Sequence, residues 1–499
     1  MLYESGRFST ISGPGEERAL IVEVEQGEAG SVQAAVLAVP LAEPPSAAFR
    51  RLDERLGGRL AALVAAGDAK AEAGKSLLLH VAPGEPIAAE RVLLAGVGTS
   101  DDDSLRTAAA AAVRTGVGGT VAWAFDDSLP GGQARAVVEG ALLGAHDVGR
   151  WKTNGGGARV QRFVLAGAPA AAADVAARAA IVARWTNRAR ELVDGPPNEV
   201  TPVGLAAAAG DLLTPLGVTV ETLGPAEIEQ LGLGGLAAVG GGSVNEPRLI
   251  VLRHGGDRPP ELGLVGKSIT FDSGGYFLKQ QSDIVRQKAD MGGGAAVLGA
   301  VGAIAELGLE LGVLAVLPAA ENMIGGGAFR PGDILRTASG LTVEVTNPDA
   351  EGRIVMADAL WYARREGAAR LVDVATLTGA MRAAIGDMYI GVFANDDDWR
   401  AQVVAAGNES GDHAWPWPLH ARYRRLLDSP LADLRNTSGR SFGYPIVAAA
   451  FLERFVGDVP WAHLDIHSAA YLDEDRDYLG RGASGAGVRL LTELATRLS

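Results

Sequence analysis

The chain has 499 residues, 47% hydrophobic and 21% charged, a globular composition with room for two to four domains at about 150 residues each. Its 45 basic and 60 acidic residues leave a net charge of −15, which disfavours nucleic acid or anionic lipid as a partner. The absence of cysteine excludes disulfides, thiolate metal sites and a cysteine nucleophile.

Taken in chain order, the stretch Met1 to Phe8 has an early acid and no apolar run, so no secretory leader is expected. The first half alternates short Val/Leu-rich runs, expected as strands at 19–24, 32–39, 76–81 and 91–96, with helical periodicity at 47–66, 105–114 and 134–146. The most apolar stretch, near 165–185, is interrupted by Asp174, Arg178 and Arg184, short of the roughly 18 uninterrupted apolar residues a membrane helix needs. A cytoplasmic protein without membrane partners is expected. A long helix over 170–193 should stop at Asp194-Gly-Pro-Pro, because two prolines cannot continue it. That stop suggests an N-terminal domain over 1–185, a linker over 186–202 and a second domain over 203–499. The second domain repeats the alternation, with strands expected at 218–222, 249–253, 262–269, 312–318 and 371–374, and helices at 204–213, 294–305, 357–365 and 447–455. The fold class is therefore α/β in two domains, each a mixed or mostly parallel sheet flanked by helices.

Three motifs have bland explanations. Gly232-Leu-Gly-Gly resembles a dinucleotide fingerprint but follows a helical stretch, so a loop is expected. Ser441 within Gly439-Arg-Ser-Phe-Gly443 fits a nucleophile elbow, whose required preceding strand is replaced by polar residues. His463-Leu-Asp465-Ile-His467 places three ligand types on one strand face, a pattern that more often makes a hydrogen-bonded core.

A carboxylate constellation has more parts. An apolar strand delivers Lys267 and Asp272 and ends on Gly274-Gly275; Lys279 follows, and Asp290 stands at an expected helix start before Gly292–Gly294. Asp349 and Glu351, one residue apart, would point the same way in extended backbone. With seven histidines and no His-Glu-x-x-His spacing, carboxylates are the expected metal holders. Four such acids together would repel and raise one another's pKa unless cations neutralise them, and two divalent ions balance the charge. A mainly carboxylate site suits manganese, zinc, magnesium or cobalt.

At these residues the chain resembles the leucyl (cytosol) aminopeptidase family, the M17 metallopeptidases. The signature Asn-Thr-Asp-Ala-Glu-Gly-Arg stands here as residues 347–353 with Pro348 in place of threonine, and the likeness extends through 185–202, 265–275, 290–299, 321–333, 375–380, 461–466 and 482–490. The resemblance implies a homohexamer that removes N-terminal residues from peptides with two divalent ions, Mn2+ or Zn2+ first. With the C-terminal domain catalytic, Lys267 as a neutral amine, Asp272, Asp290 and Glu351 would hold one ion, and Asp272, Asp349, the Asp349 backbone carbonyl and Glu351 the other. Lys279 would support the oxyanion and Arg353 would hold a bicarbonate base. Met291, Thr376, Leu377, Gly379, His467 and Ala470 would line the substrate pocket. The glycine runs at 274–275, 292–294 and 325–327 would frame the metals and peptide. His467 and Ser468 replace the family's usual Ala-Gly, which implies a pocket of altered size or polarity. The alternatives are a serine hydrolase using Ser441 and a noncatalytic regulatory or DNA-binding member of the same fold, for which Arg422–Arg425 is the local basic patch.

Overall fold

A computed structural model of the chain describes residues 20–126, 129, 133–149, 151–153 and 160–499; the leader reading at Met1 to Phe8 lies outside them. The chain divides into two compact units, one reaching to Asn187 and including Asp473–Arg481, the other comprising Arg188–Leu472 and Gly482–Ser499. The division falls inside the helix Ala172–Asp194, which ends at Gly195-Pro-Pro as the sequence requires. Residues 186–202, expected as a linker, are the last turns of that helix, a turn, and the first residue of the helix Pro202–Leu213, which Thr201 caps through its hydroxyl. No helix among the described residues is long and apolar enough to cross a membrane.

The N-terminal unit holds β1 (Ile21–Glu25), β2 (Val36–Leu41), β3 (Ser76–His80), β4 (Arg91–Gly96), β5 (Gly119–Ala124) and β6 (Val160–Ala166), in the order β1-β6-β5-β2-β4-β3. Every neighbouring pair is parallel except β3 with β4, so the sheet is doubly wound with one antiparallel edge. The helix expected over 47–66 is two, Ala47–Arg55 and Arg59–Ala65, because Gly57 and Gly58 both take positive φ and end the first. Its helices Asp102–Val113 and Gln133–Gly144 approach closely: a Cβ at Gly140 would lie 2.2 Å from the Arg106 carbonyl.

The second unit holds β7 (Thr219–Leu223), β8 (Arg248–His254), β9 (Leu262–Gly266), β10 (Ser268–Asp272), β11 (Val313–Asn322), β12 (Ile334–Arg336), β13 (Thr342–Glu344), β14 (Leu371–Ala375), β15 (Ile390–Ala394), β16 (Ala414–Pro416), β17 (Leu434–Arg435) and β18 (Trp461–Asp465). The main sheet runs β16-β15-β18-β14-β9-β11-β8-β7, with β10 beside β11; β12, β13 and β17 form a separate ribbon. Its centre is parallel, since β18, β14, β9 and β11 pair in one direction and β10 joins β11 in the same sense, while β8, β7 and β15 run antiparallel to their inner neighbours. The parallel strands are buried on both faces, which explains why they read as continuous apolar runs.

The single strand expected over 262–269 is broken at Lys267. There the backbone N–H donates to Val374 and the carbonyl accepts from Gly294, so the chain leaves β9 and re-enters as β10. The consequence is positional. Parallel strands end on one edge, so the residues that close or follow β9, β10, β11, β14 and β18, namely Lys267, Asp272, Asn322, Thr376 and Asp465, collect there. In open α/β sheets this carboxyl edge is where ligands bind.

Candidate metal centre

Each acid reaches this edge by a different local device. Asp272 closes β10. Asp290 sits in the 3-10 stretch Val285–Met291 that leads into the helix Gly292–Glu306. Gly293 and Gly294 let that helix press onto the strands, since a Cβ would stand 2.0 Å from the Val374 carbonyl and 2.0 Å from Ser268 Oγ respectively. Asp349 and Glu351 do not share an extended segment as their spacing suggested. Asp349 lies in the turn Pro348–Ala350, its N–H capped by Asn347 Oδ1 at 2.8 Å, and Glu351 opens the helix Glu351–Arg365. They converge because the turn folds directly into the helix.

The resulting cluster is dense. Lys267 Nζ stands 2.7 Å from Asp290 Oδ2 and 2.9 Å from Glu351 Oε1, and Lys279 Nζ stands 2.8 Å from Asp272 Oδ2 and 2.5 Å from Asp349 Oδ1. Asp272, Asp290 and Glu351 are buried and offer carboxylate oxygens within 4.8 Å of one another. Thr376 donates its hydroxyl to Asp290 Oδ1 at 2.8 Å, and its carbonyl faces Lys267 Nζ at 3.3 Å. Four acids thus face two lysines. Burial, with Glu351 adding to it, pushes the Asp272 carboxyl up to about 7 against the pull of both lysines. Burial likewise raises Asp290 well above the ordinary carboxylate range. Burial disfavours the Lys267 ammonium, but Asp290, Glu351 and Asp272 outweigh it and raise its pKa. With all four acids ionised the cluster carries two negative charges beyond those the lysines balance, and its donors are oxygens plus one amine. That set fits divalent cations of the manganese, magnesium and zinc kind.

Sequence reasoning passes over two residues here. Gly352 is one: a Cβ on it would lie 2.4 Å from Lys267 Cε and 2.5 Å from Nζ, so only glycine leaves the lysine its path between the acids. Its place between Glu351 and Arg353, inside the quoted signature, is the signal the sequence offers. Asn322 is the other, and its contacts are described below.

Arg353, on the first turn of the same helix, is buried; Nη1 donates to the Asn436 carbonyl at 2.7 Å and Nε has no hydrogen-bond partner among the described residues. Burial lowers its pKa to about 10, with Glu351 opposing. Beside the acids, Thr376 Cγ2, Ile466 Cδ1 and Ala470 Cβ surround the Cα of Gly292 within 3.8 Å of a Cβ placed there. Met291 is buried immediately before it. His467, at the solvent-exposed end, directs Nε2 toward Gly379. Asp465 holds this rim: Oδ1 accepts from the backbone of Leu377 (3.3 Å) and His467 (3.2 Å), and Oδ2 from the Thr378 hydroxyl (2.6 Å).

The structure does not gather His463 with Asp465 and His467. His463 is fully buried and pairs with Asp373 at 2.6 Å, while Trp461 Nε1 donates to the other oxygen of that acid, also at 2.6 Å. Ser441 lies exposed on a loop six residues beyond the short β17, without the strand an elbow requires. The 232–237 run is a turn at Gly232, with φ +69°, followed by the helix Gly234–Gly240. Gly325 and Gly327, expected to frame the site, pack instead on the Gly242 and Gly241 carbonyls, at 2.2 and 2.3 Å from a Cβ.

Comparison with known proteins matches residues 187–492 to the catalytic domain of the cytosol aminopeptidase family and residues 36–155 to its N-terminal domain. A probable cytosol aminopeptidase of Roseiflexus castenholzii is 45% identical over 88% of this chain and 93% of its own length. One of Solibacter usitatus is 42% identical over 95% and 98%. Among solved structures, the bottromycin maturation enzyme BotP in complex with Mn superposes with a TM-score of 0.83 at 36% identity, covering 93% of this chain and 99% of that one. A mutant of tomato leucine aminopeptidase superposes at 0.86 with 32% identity, covering 97% of each.

Proposed function

Since the chain belongs to the cytosol aminopeptidase family and is a metal-dependent aminopeptidase, we propose that the cluster at the carboxyl edge of the second sheet is its catalytic centre and holds two divalent ions. The observation that carries a divalent-cation site is the excess of four buried or half-buried acids over two lysines; the count of two rests on the likeness to the family. Lys267 as the neutral amine, its proton given up when a cation takes the place the ammonium fills between Asp290 and Glu351, is with Asp272, Asp290 and Glu351 a proposed ligand of one ion; Asp272, Asp349 with its backbone carbonyl, and Glu351 are those of the other. Mn2+ is the first choice because a similar structure contains it; Zn2+, Mg2+ and Co2+ suit the same donors. When bound, such ions supply Lewis acidity toward a peptide carbonyl and lower the pKa of water.

The remaining steps fall to the chain's own groups. Lys279 is held between Asp272 and Asp349 and keeps its proton, so its ammonium can support negative charge developing on the scissile carbonyl oxygen. Arg353, whose buried Nε has no hydrogen-bond partner among the described residues, is the proposed seat of a bicarbonate base. Met291, Thr376, Leu377, Gly379, His467 and Ala470 form the proposed pocket for the first side chain, and His467 makes its open end polar. A panel of aminoacyl substrates tests that detail. Preference should move toward leucine and methionine in His467→Ala, and an unchanged leucine or methionine optimum would refute it. We further propose a cytoplasmic homohexamer, measurable by analytical ultracentrifugation.

Metal analysis combined with kinetics tests the centre. Two ions per chain, loss of activity with a chelator and an inactive Asp349→Ala are expected. Activity that survives chelation but is blocked by a fluorophosphonate would instead support the serine reading at Ser441.

A further inference from the structure

Asn322 ends β11 with its side chain fully buried and sits opposite Asp272 in the β10–β11 ladder. Its Nδ2 lies 2.9 Å from Asp272 Oδ1, 3.1 Å from the Pro348 carbonyl and 3.4 Å from Glu351 Oε2. One amide therefore reaches a strand end, the turn that carries Asp349 and the first residue of the following helix. The nitrogen must face this way, because the flipped amide would set an oxygen against three acceptors. Its Oδ1 has no partner among the described residues and is crowded by Gly275, where a Cβ would come within 2.9 Å.

The two carboxylates it touches are divided in a consistent manner. Asn322 takes Asp272 Oδ1, which also accepts the Gly274 backbone N–H at 2.9 Å, and it is the amide that joins this oxygen to Glu351 Oε2, while the opposite oxygens, Asp272 Oδ2 and Glu351 Oε1, face Lys279 and Lys267. The terminal torsion of a carboxylate is soft, so a donor fixed on one oxygen selects where the other points. A neutral amide does this without altering the site's charge. A lysine or arginine there would compete with a cation, and an aspartate would add a fifth acid.

We propose that Asn322 is a positioning residue that turns Asp272 Oδ2 and Glu351 Oε1 toward the bound cations. This rests on the metal centre proposed above. Hydrogen-bonding partners of metal ligands typically contribute about 10–100-fold to metal affinity, which sets the size of the expected effect.

The test is calorimetric titration of Mn2+ into metal-stripped wild-type, Asn322→Leu and Asn322→Ser chains, with the thermal midpoint of each measured before and after loading. Both variants should bind Mn2+ about 10–100-fold more weakly and show a smaller midpoint rise on loading. At saturating Mn2+ the KM for peptide should stay within a few-fold of wild type while kcat falls. Asn322→Ser, the smaller change, covers the case in which leucine prevents folding. A folded variant with wild-type Mn2+ affinity would overturn the role of Asn322. Failure of the wild-type chain to take up Mn2+ would overturn the metal centre itself, and the inference with it.

Discussion

Gly352→Ala offers the sharpest probe of the site because its effects on stability and function should separate. Residue 352 is in the first turn of the helix Glu351–Arg365, where alanine is favoured over glycine by up to about 1 kcal/mol. The added methyl would stand 2.4 Å from Lys267 Cε and 2.5 Å from Nζ, well inside contact distance. These atoms end a flexible chain and can shift, so the backbone need not. The ammonium would then leave its places 2.7 Å from Asp290 and 2.9 Å from Glu351, and those acids would lose a buried partner. Removing one member of a buried pair costs about 3–5 kcal/mol, offset in part by the helix gain and by residual contact of the displaced amine. The expected net effect on the thermal midpoint is a drop of several degrees. Function should suffer more, since Lys267 is a proposed ligand: a loss of at least about 100-fold in kcat/KM corresponds to about 2.7 kcal/mol, with Mn2+ affinity falling alongside. Steady-state kinetics and Mn2+ titration on the same preparation give both numbers. Wild-type affinity and rate in a folded Gly352→Ala would show that the lysine head need not occupy that position.

Three further outcomes are expected. Lys279→Ala should lower kcat by about 10²–10³-fold with KM within a few-fold of wild type, and equal losses through KM alone would place Lys279 in substrate binding. Asp358 accepts the backbone N–H groups of Gly235, Leu236 and Ala338 at 2.8, 3.0 and 2.8 Å. Asp358→Ala would leave these donors without their acceptor, cost about 3 kcal/mol and lower the midpoint by about 5–10 °C, measurable by calorimetry; an unchanged midpoint would refute that accounting. Burial disfavours a charged His463, but Asp373 outweighs it and raises the pKa above the ordinary 6.5. The folded chain therefore holds this proton more tightly than the unfolded one, so the stabilisation is complete below that ordinary value and is lost as pH rises through the raised one. The midpoint difference between wild type and His463→Gln should shrink as pH rises above the ordinary histidine value, and a difference that grows would contradict the pairing.

The sequence by itself determined the class of the fold and named the candidate residues of the site. Alternating apolar runs and helical periods marked two α/β halves, and the stop at Asp194-Gly-Pro-Pro appears where two prolines place it. Zero cysteine and few histidines pointed to a carboxylate centre, and Lys267, Asp272, Asp290, Asp349 and Glu351 were legible as chemistry-bearing residues near glycines. Only the tertiary structure decided how they meet. The spacing of Asp349 and Glu351 suggested one extended segment, yet a turn passing into a helix brings them together. The run 262–269 looked like one strand, yet it breaks at Lys267 because its backbone bonds to β14 on one side and to Gly294 on the other. Neither Gly352 nor Asn322 announces its task, because a missing Cβ and an amide acquire meaning only from the atoms opposite them, and those come from segments tens of residues away. Periodicity records which face of an element is buried; the distances that make a metal centre belong to parallel strand ends and helix starts gathered on one edge of the sheet.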